Sequence, residues 1–212
     1  MNDTERFNEH AATWDDDRGN VDRANAVAAV VRTVVPVRAD MRALEIGGGT
    51  GLLARALADD LATVTVTDVA PGMVEAAGRA LDNPRYDGWD ARLYDIEHDP
   101  LPDERFDLVL GLLTLHHMGD VPAVVRRCAE LLRPGGWIAL IDLDHDPNGD
   151  FHASVHDFHG HDGFTRDSVR RWLGDAGFAG VTMTDAGTVT KEVDSTERDF
   201  PMFLATAQAP NP

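Results

Sequence analysis

Short apolar runs alternate along this chain with stretches whose apolar residues recur at helical spacing. The runs predict buried strands at residues 41–46, 63–67, 89–94, 105–110 and 137–143. Helical spacing predicts helices at residues 21–35, 52–61, 71–81, 121–132 and 165–176. Alternating apolar and polar residues at 181–184 and 203–207 predict a final antiparallel pair of strands.

Proline and glycine residues support these boundaries. Pro36 and Gly177 each follow a predicted helix, and Pro71 opens another, where a missing N–H costs nothing. Regular alternation of strands and helices predicts an α/β fold. We expect a Rossmann-like open sheet of about seven strands, mostly parallel with an antiparallel last strand, and helices on both faces.

A glycine-rich loop follows the first predicted strand. Gly47, Gly49 and Gly51 let the backbone approach a ligand closely, and Asp68, seventeen residues after Gly51, ends the second strand. A carboxylate at that place can bind the hydroxyls of a ribose. Ligands of open sheets bind beyond the carboxyl ends of the strands, where this loop, Asp68 and Asp95 all lie. The loop alone is consistent with a simple turn, but its convergence with two carboxylates favours a nucleotide site.

The spacing of the glycines distinguishes between two classes of cofactor. A dinucleotide fingerprint has the pattern G-x-G-x-x-G, whose third glycine lets helix and strand pack closely around a pyrophosphate. Leu52 occupies that third position here, and Glu45 precedes the glycines. This difference makes a nicotinamide-dependent oxidoreductase the less favoured alternative.

Acidic residues outnumber basic residues almost two to one. There are 37 Asp and Glu against 19 Lys and Arg, a formal net charge of −18, and Lys191 is the only lysine. Such a surface repels nucleic acids and anionic membranes, because both are bound through clustered Lys and Arg. We therefore expect no nucleic-acid or membrane partner, and a small substrate that is neutral or cationic.

Other bulk properties indicate one cytoplasmic domain, as a monomer or homodimer. A length of 212 residues suits a single domain. No apolar run approaches the roughly 20 residues that span a bilayer, and the acidic N-terminus lacks the pattern of a secretory signal. Cys128 is the only cysteine, which excludes an intrachain disulfide and predicts a small buried residue of a helix.

Five motifs occur in order at residues 44–51 (LEIGGGTG), 67–73 (TDVAPGM), 94–96 (YDI), 106–117 (FDLVLGLLTLHH) and 132–136 (LRPGG). Over residues 5–208 this order resembles the class I S-adenosylmethionine-dependent methyltransferases, in the small-molecule branch near the enzymes that methylate quinone precursors. The resemblance implies S-adenosylmethionine as cofactor and in-line transfer of a methyl group to O, N or C of a small acceptor. A non-catalytic regulatory protein that binds S-adenosylmethionine would keep the same motifs.

The same resemblance implies how the chain is divided and which residues bind the cofactor. Residues 1–38 would form an N-terminal helical lid, 39–143 the cofactor-binding core, and 144–212 an acceptor-side segment with the final strands. Glu45 would hold the amino group of the cofactor, Asp68 its ribose hydroxyls and Asp95 its adenine amine, unless Asp95 serves only in a turn. The implied cofactor-binding residues are Glu45, Gly47, Gly49, Gly51, Asp68, Val69, Met73, Asp95, Ile96, Gly111 and Leu112. For Met73, ordinary core packing is the alternative.

Histidines and aromatic residues are the candidates for the acceptor side. His116 and His117 end the fourth predicted strand, and an imidazole there can take a proton from a hydroxyl or amine near neutral pH. We therefore treat both as candidate catalytic bases. The alternative is that neither acts as a base, because relatives often carry a histidine there without using it in this way. Trp14 falls with Phe7 where relatives carry a closing helix, and it either offers an aromatic face to a cation or only packs that helix down.

Five of the nine histidines occur within residues 145–161. His152, His156 and His159 are candidates for binding the acceptor, and the first two would share one face of a helix. The segment is interpreted as a polar wall around the acceptor, a surface loop or a metal site. Because the chain has no paired Cys-x-x-Cys signature, we assign no metal ligands.

Overall fold

The computed structural model describes residues 3–155 and 158–210. Its helices are α1 (Asp3–His10), α2 (Arg18–Val34), α3 (Leu52–Ala56), α4 (Pro71–Leu81), α5 (Val121–Leu131) and α6 (Arg166–Asp175). Its strands are β1 (Arg42–Glu45), β2 (Thr63–Asp68), β3 (Asp90–Leu93), β4 (Phe106–Leu112), β5 (Leu132–Leu143), β6 (Ala179–Val193) and β7 (Thr196–Gln208). Short 3-10 segments lie at Ala11–Asp16, Pro84–Tyr86, Leu115–His117 and Asp150–His152.

All seven strands form one sheet in the order β3-β2-β1-β4-β5-β7-β6. Strands β1 to β5 pair in parallel, and β7 runs antiparallel to both β5 and β6. The strand order reverses at β1, which pairs with β2 on one side and β4 on the other. Loops diverge at such a reversal and leave a crevice at the carboxyl ends of the strands. The predicted open α/β sheet is confirmed.

Apolar residues cover both faces of the central strands. Along β4, Leu108 and Leu110 pack in the cluster that includes α2, α3 and α4, whereas Phe106 and Val109 pack in the cluster that includes α5 and α6. A strand covered on both faces needs apolar residues at successive positions, which explains its continuous run. Cys128 of α5 is buried, as expected, and desolvation raises the pKa of its thiol to about 12.

Several predicted boundaries differ from the structure. The strand predicted at residues 137–143 begins at Leu132, so it includes the LRPGG motif. The helix predicted at residues 52–61 ends at Ala56, because the following residues form tighter turns such as that from the Asp60 N–H to the Leu57 carbonyl. Strands β6 and β7 extend well beyond residues 181–184 and 203–207, into a hairpin that turns at Asp194 and Ser195. The outer part of this hairpin is largely exposed, so no regular burial pattern marks it in the sequence. Within residues 3–155 and 158–210, no helix has both the length and the apolar character needed to cross a membrane.

The N-terminal segment is tied to the crevice by polar contacts. The Asn8 side-chain oxygen accepts a hydrogen bond from the Gly72 N–H, at the start of α4, at 2.7 Å. Asp15 accepts a hydrogen bond from the Thr50 hydroxyl at 2.6 Å and forms an ion pair with Arg55. These contacts hold α1 and the 3-10 segment after it against α4 and the glycine loop.

Candidate active site

A cavity of about 640 Å³ opens at the carboxyl ends of β1, β2, β3 and β4. This volume suits a small-molecule ligand. The sequence-predicted residues that line it are Trp14, Glu45, Gly47, Gly49, Asp68, Val69, Met73, Asp95, Ile96, Leu112, His116, His117 and His152. Gly51, Gly111 and His159 do not line it, and His156 lies outside the described residues.

Two glycines explain the shape of the loop after β1. Gly47 has a φ of +53°, and a Cβ at this position would lie 1.8 Å from the Thr114 hydroxyl oxygen. The loop therefore approaches the end of β4 more closely than any side chain at residue 47 would allow. Gly49 has a φ of +56°, and a Cβ there would meet only Met73 Sδ, at 3.8 Å. The loop therefore leaves space within the cavity that a side chain would fill.

Glu45 places a buried carboxyl group beside this loop. Its side chain lines the cavity, and the residue is only 2% exposed. Desolvation raises its pKa to about 8, although the Ala54 N–H donates to its Oε2 at 3.2 Å and lowers the pKa in part. A buried carboxyl group of this kind favours a cationic ligand, because the positive charge offsets the cost of ionising it.

Asp68 links the glycine loop to the end of β2. Its Oδ2 accepts a hydrogen bond from the Gly49 N–H at 2.9 Å, and its Oδ1 accepts one from the Ala70 N–H at 2.8 Å. Burial raises its pKa, against the lowering effect of these N–H groups. Each oxygen retains a further lone pair, so the fixed carboxylate can accept bonds from two neighbouring hydroxyls.

Asp95 and Met73 each take part in local structure as well as lining the cavity. Asp95 Oδ1 accepts a hydrogen bond from the Glu97 N–H at 2.8 Å, and its Oδ2 lies 2.8 Å from His98 Nδ1. Asp95 therefore takes part in a turn, which is the alternative role that the sequence suggested for it. Met73 belongs to a small buried cluster against which Phe7 and Trp14 pack, so its side chain serves the core and the cavity together.

The aromatic residues of the N-terminal segment cover one side of the cavity. Phe7 and Trp14 make an edge-to-face contact with ring centroids 5.9 Å apart, and Phe7 makes a second such contact with His117 at 5.2 Å. Trp14 therefore packs the segment down and also lines the cavity.

His116 forms a buried pair with Asp142, a residue of β5 that the sequence interpretation missed. His116 Nδ1 lies 2.7 Å from Asp142 Oδ1, and the two residues are 3% and 0% exposed. A carboxylate holds the proton on Nδ1 and leaves Nε2 free to accept a proton. The available signal was a single carboxylate inside the apolar strand predicted at residues 137–143.

Two more imidazoles lie beside this pair. The rings of His117 and His152 have centroids 4.1 and 5.1 Å from that of His116. Desolvation and the neighbouring His116 lower the pKa of His117 to about 4 and that of His152 to about 3. His117 Nδ1 also lies 2.8 Å from a carboxylate oxygen of Asp3 in α1. Both rings are therefore neutral near pH 7.

Of the histidines that the structure describes in the histidine-rich segment, His152 alone lines the cavity, next to Phe151. His152 is buried there, whereas His145 and His159 are exposed and His161 Nε2 lies 2.9 Å from the Met118 carbonyl oxygen. Within residues 3–155 and 158–210, no group of three or more His, Cys, Asp or Glu side chains has the arrangement needed to hold a metal ion. The described part of the segment thus lines the cavity at Phe151 and His152 and forms a surface loop at other residues.

Basic side chains that the sequence interpretation did not assign also line the cavity. Arg6 comes from α1, Arg23 from α2 and Lys191 from β6. Helical and strand patterns gave no indication that these three elements meet. The one available signal was that Lys191 is the only lysine of the chain.

Comparison with known proteins agrees with this geometry. A family model described as a methyltransferase domain matches residues 44–140. The chain is 36% identical over 140 residues to 27-O-demethylrifamycin SV methyltransferase of Amycolatopsis mediterranei, covering 64% of this chain and 51% of that protein. It is 32% identical over 164 residues to ubiquinone biosynthesis O-methyltransferase of Xanthomonas oryzae, covering 69% of this chain and 63% of that protein. The chain thus spans less than two thirds of either relative.

The fold is also found among solved structures. A chain from the complex of the Haloferax volcanii Trm112 methyltransferase activator with a methyltransferase superposes with a TM-score of 0.75 at 20% identity, covering 97% of this chain and 98% of that one. A SAM-dependent methyltransferase from Aquifex aeolicus gives a TM-score of 0.62 at 19% identity, covering 86% and 89%. The ordered motifs, the methyltransferase-domain match and the similarity to these methyltransferases together support a class I S-adenosylmethionine-dependent methyltransferase, and the solved structures show the same fold.

Proposed function

We propose that this protein transfers a methyl group from S-adenosylmethionine to a small-molecule acceptor. The observation that carries the proposal is the pair of buried carboxyl groups, Glu45 and Asp68, on either side of a glycine loop with open space over Gly49. Glu45 would bind the cationic amino group of the cofactor, and Asp68 would bind its two ribose hydroxyls. The side chains of Met73 and Ile96 would offer an apolar surface to the adenine ring.

The acceptor would lie on the side of His116. When bound, S-adenosylmethionine supplies a methyl group made electrophilic by a positively charged sulfur. His116 Nε2 would take the proton of the acceptor, while Asp142 holds the imidazole in the required tautomer. This pair favours a hydroxyl acceptor among the O, N and C alternatives, because a hydroxyl must lose its proton to become a good nucleophile. Both curated relatives named above are methyltransferases of small molecules by name, which supports the same class of acceptor.

The N-terminal segment would exclude water from the reacting groups. Phe7 and Trp14 cover the cavity, and Asp3, which lies in α1 with Phe7, contacts His117. Closing a site in this way holds the two reactants in a productive orientation and strengthens the electrostatic interactions within it.

Isothermal titration calorimetry tests the cofactor assignment. We expect S-adenosylmethionine and S-adenosylhomocysteine to bind at one site per chain, and NADH to give no heat of binding. A panel of small phenols and amines, with S-adenosylhomocysteine release as the readout, then tests for turnover. Tight binding without turnover of any acceptor would favour the regulatory alternative, and binding of NADH alone would exclude the proposal.

A further inference from the structure

The cavity contains a buried imidazole that the proposed reaction does not use. His152 lines the cavity and is only 6% exposed. Its Nδ1 is buried and has no hydrogen-bond partner within residues 3–155 and 158–210. Burying a polar group without a partner is costly, so a histidine kept in this state calls for an explanation.

A carboxylate decides which nitrogen of this ring carries the proton. Asp162 Oδ1 lies 3.8 Å from His152 Nδ1, which is too far for a direct hydrogen bond but close enough to attract an N–H and repel a lone pair. Gly149 makes room for this carboxylate, since a Cβ there would lie 3.2 Å from both Asp162 oxygens. The proton of the neutral ring therefore lies on Nδ1 and the lone pair on Nε2. Because Nδ1 is enclosed by the protein, Nε2 is the nitrogen that a ligand in the cavity can reach.

Aromatic neighbours hold the His152 ring in place. Phe158 stacks on it with ring centroids 3.6 Å apart and planes 12° from parallel, and Phe151 meets it edge-to-face at 4.7 Å. Burial and the neighbouring His116 lower its pKa to about 3, so the ring is neutral near pH 7. A neutral ring in this tautomer can accept a hydrogen bond at Nε2 but cannot donate one there.

His152 and His116 thus form two similar pairs. Each has a carboxylate beside Nδ1, from Asp162 and Asp142 respectively, and each leaves the lone pair of Nε2 free. The two ring centroids are 5.1 Å apart, and both rings line the same cavity. One ligand with hydroxyl groups on adjacent atoms can donate to both nitrogens, whereas a ligand with a single hydroxyl leaves one nitrogen unpaired.

His117, the third imidazole of the cavity, has a different place. Its Nδ1 lies 2.8 Å from Asp3 of α1, and its ring meets Phe7 of the same helix edge-to-face at 5.2 Å. Both contacts are with the N-terminal segment, so His117 holds that segment over the cavity.

We infer that His152 is a specificity-determining residue, which accepts a hydrogen bond from a second hydroxyl of the acceptor, adjacent to the hydroxyl that faces His116. This inference rests on the proposed function and specifies the class of its substrate, a molecule with two neighbouring hydroxyl groups.

The same contact limits the reaction to one methyl group. In the transfer, the oxygen beside His116 bonds to the methyl carbon as the C–S bond breaks, the electron pair stays on sulfur, and the hydroxyl proton passes to His116 Nε2. A second transfer requires the product to turn round, so that its methoxy oxygen faces His152. That oxygen has no proton to donate, and His152 Nε2 loses its hydrogen bond.

Three small phenols test the inference on the full-length protein saturated with S-adenosylhomocysteine. They are catechol, which has two adjacent hydroxyls, its monomethyl ether guaiacol, and phenol. Calorimetry near neutral pH should show catechol binding about fivefold or more tightly than either of the others, which corresponds to one additional hydrogen bond. Equal or weaker binding of catechol, or no binding of catechol, would overturn the inference.

Substitution then assigns the preference to one side chain. His152→Phe keeps an aromatic ring against Phe158 and removes the hydrogen-bond acceptor, so this variant should bind catechol and phenol within about twofold of each other. Its affinity for S-adenosylhomocysteine should not change. The matched control is His145→Phe, which alters an exposed histidine of the same segment outside the cavity and should keep the preference. A preference that persists in His152→Phe would show that His152 only packs, which contradicts the inference.

Product analysis with S-adenosylmethionine tests the limit to one methyl group. The unmodified protein should methylate catechol about tenfold or more faster than guaiacol, and His152→Phe should reduce this ratio to about two or less. Equal rates with the unmodified protein would count against the inference. A protein that shows the binding preference but methylates no phenol would instead count against the proposed function.

Discussion

Glu45 allows a quantitative test of the cofactor site, because its carboxyl group is buried and must be ionised to bind an amino group. Its pKa of about 8 means that the ligand-free protein holds this carboxyl group protonated at lower pH. Binding of S-adenosylhomocysteine, which carries the same amino group as the cofactor, would then release a proton. Affinity should therefore rise with pH until the carboxyl group is already ionised before binding.

The size of this effect follows from the pKa. One pH unit corresponds to about 1.4 kcal/mol, so ionising Glu45 near pH 7 costs about 1.4 kcal/mol and near pH 6 about twice as much. The Kd for S-adenosylhomocysteine should fall about tenfold from pH 6 to 7, about fivefold from pH 7 to 8, and little above that. His117 and His152 do not contribute, since both are neutral throughout this range.

Calorimetry in two buffers of different ionisation enthalpy measures both Kd and the number of protons released, which should be about 0.9 near pH 7. Glu45→Gln keeps the size of the side chain and removes its charge. This variant should bind more weakly at pH 8 and show no proton release, which separates Glu45 from Asp68, whose pKa burial also raises. A wild-type Kd that is constant from pH 6 to 8, or a variant that keeps the full dependence on pH, would refute the reasoning.

Three further substitutions test other parts of the site. Asp142→Asn should lower kcat by between about 100-fold and 10,000-fold and leave S-adenosylhomocysteine affinity unchanged. A normal kcat would show that His116, paired with Asp142, is not the base. Asp68→Ala should weaken S-adenosylhomocysteine binding by about tenfold or more in calorimetry, whereas unchanged affinity would contradict its assignment to the ribose. Gly47→Ala should lower the free energy of unfolding by about 2 kcal/mol or more, because its Cβ would clash with Thr114 at a positive φ. In the same denaturant titration, Gly174→Ala should be neutral or stabilising, since its Cβ meets no atom within 4 Å.

The parts of the fold that sequence predicted well are those whose residues are buried on both sides. The runs that became β4 and β5 are apolar because helices cover both faces of the sheet. The length of the β6–β7 hairpin was underestimated because its outer residues are largely exposed. Their burial follows no regular pattern that the sequence could show. The polar helix α1 has no buried residue, so hydrophobic spacing did not reveal it, although the resemblance implied a helical lid.

The cavity residues near the glycine loop were also easier to predict than those near His116. Glu45 and Asp68 end β1 and β2, and Gly49 lies in the loop after β1, so local spacing predicts that they lie near one another. The pairing of His116 with Asp142 joins residues 26 positions apart, and the approach of Lys191 to Phe151 joins residues 40 positions apart. Such contacts depend on tertiary packing that no local pattern records.

Some residues that line the cavity lie inside the stretch that the family model matches and others lie outside it. The family match at residues 44–140 includes the carboxyl groups of the cofactor side, whereas Arg6, Arg23 and Lys191 fall outside it. Substitutions in the first helices or the last hairpin would therefore leave the carboxyl groups of Glu45, Asp68 and Asp95 in place. Protein engineers could exploit this separation by grafting the first helices and the last hairpin of a related enzyme onto this sheet, and so change which compound is modified while retaining the same methyl donor.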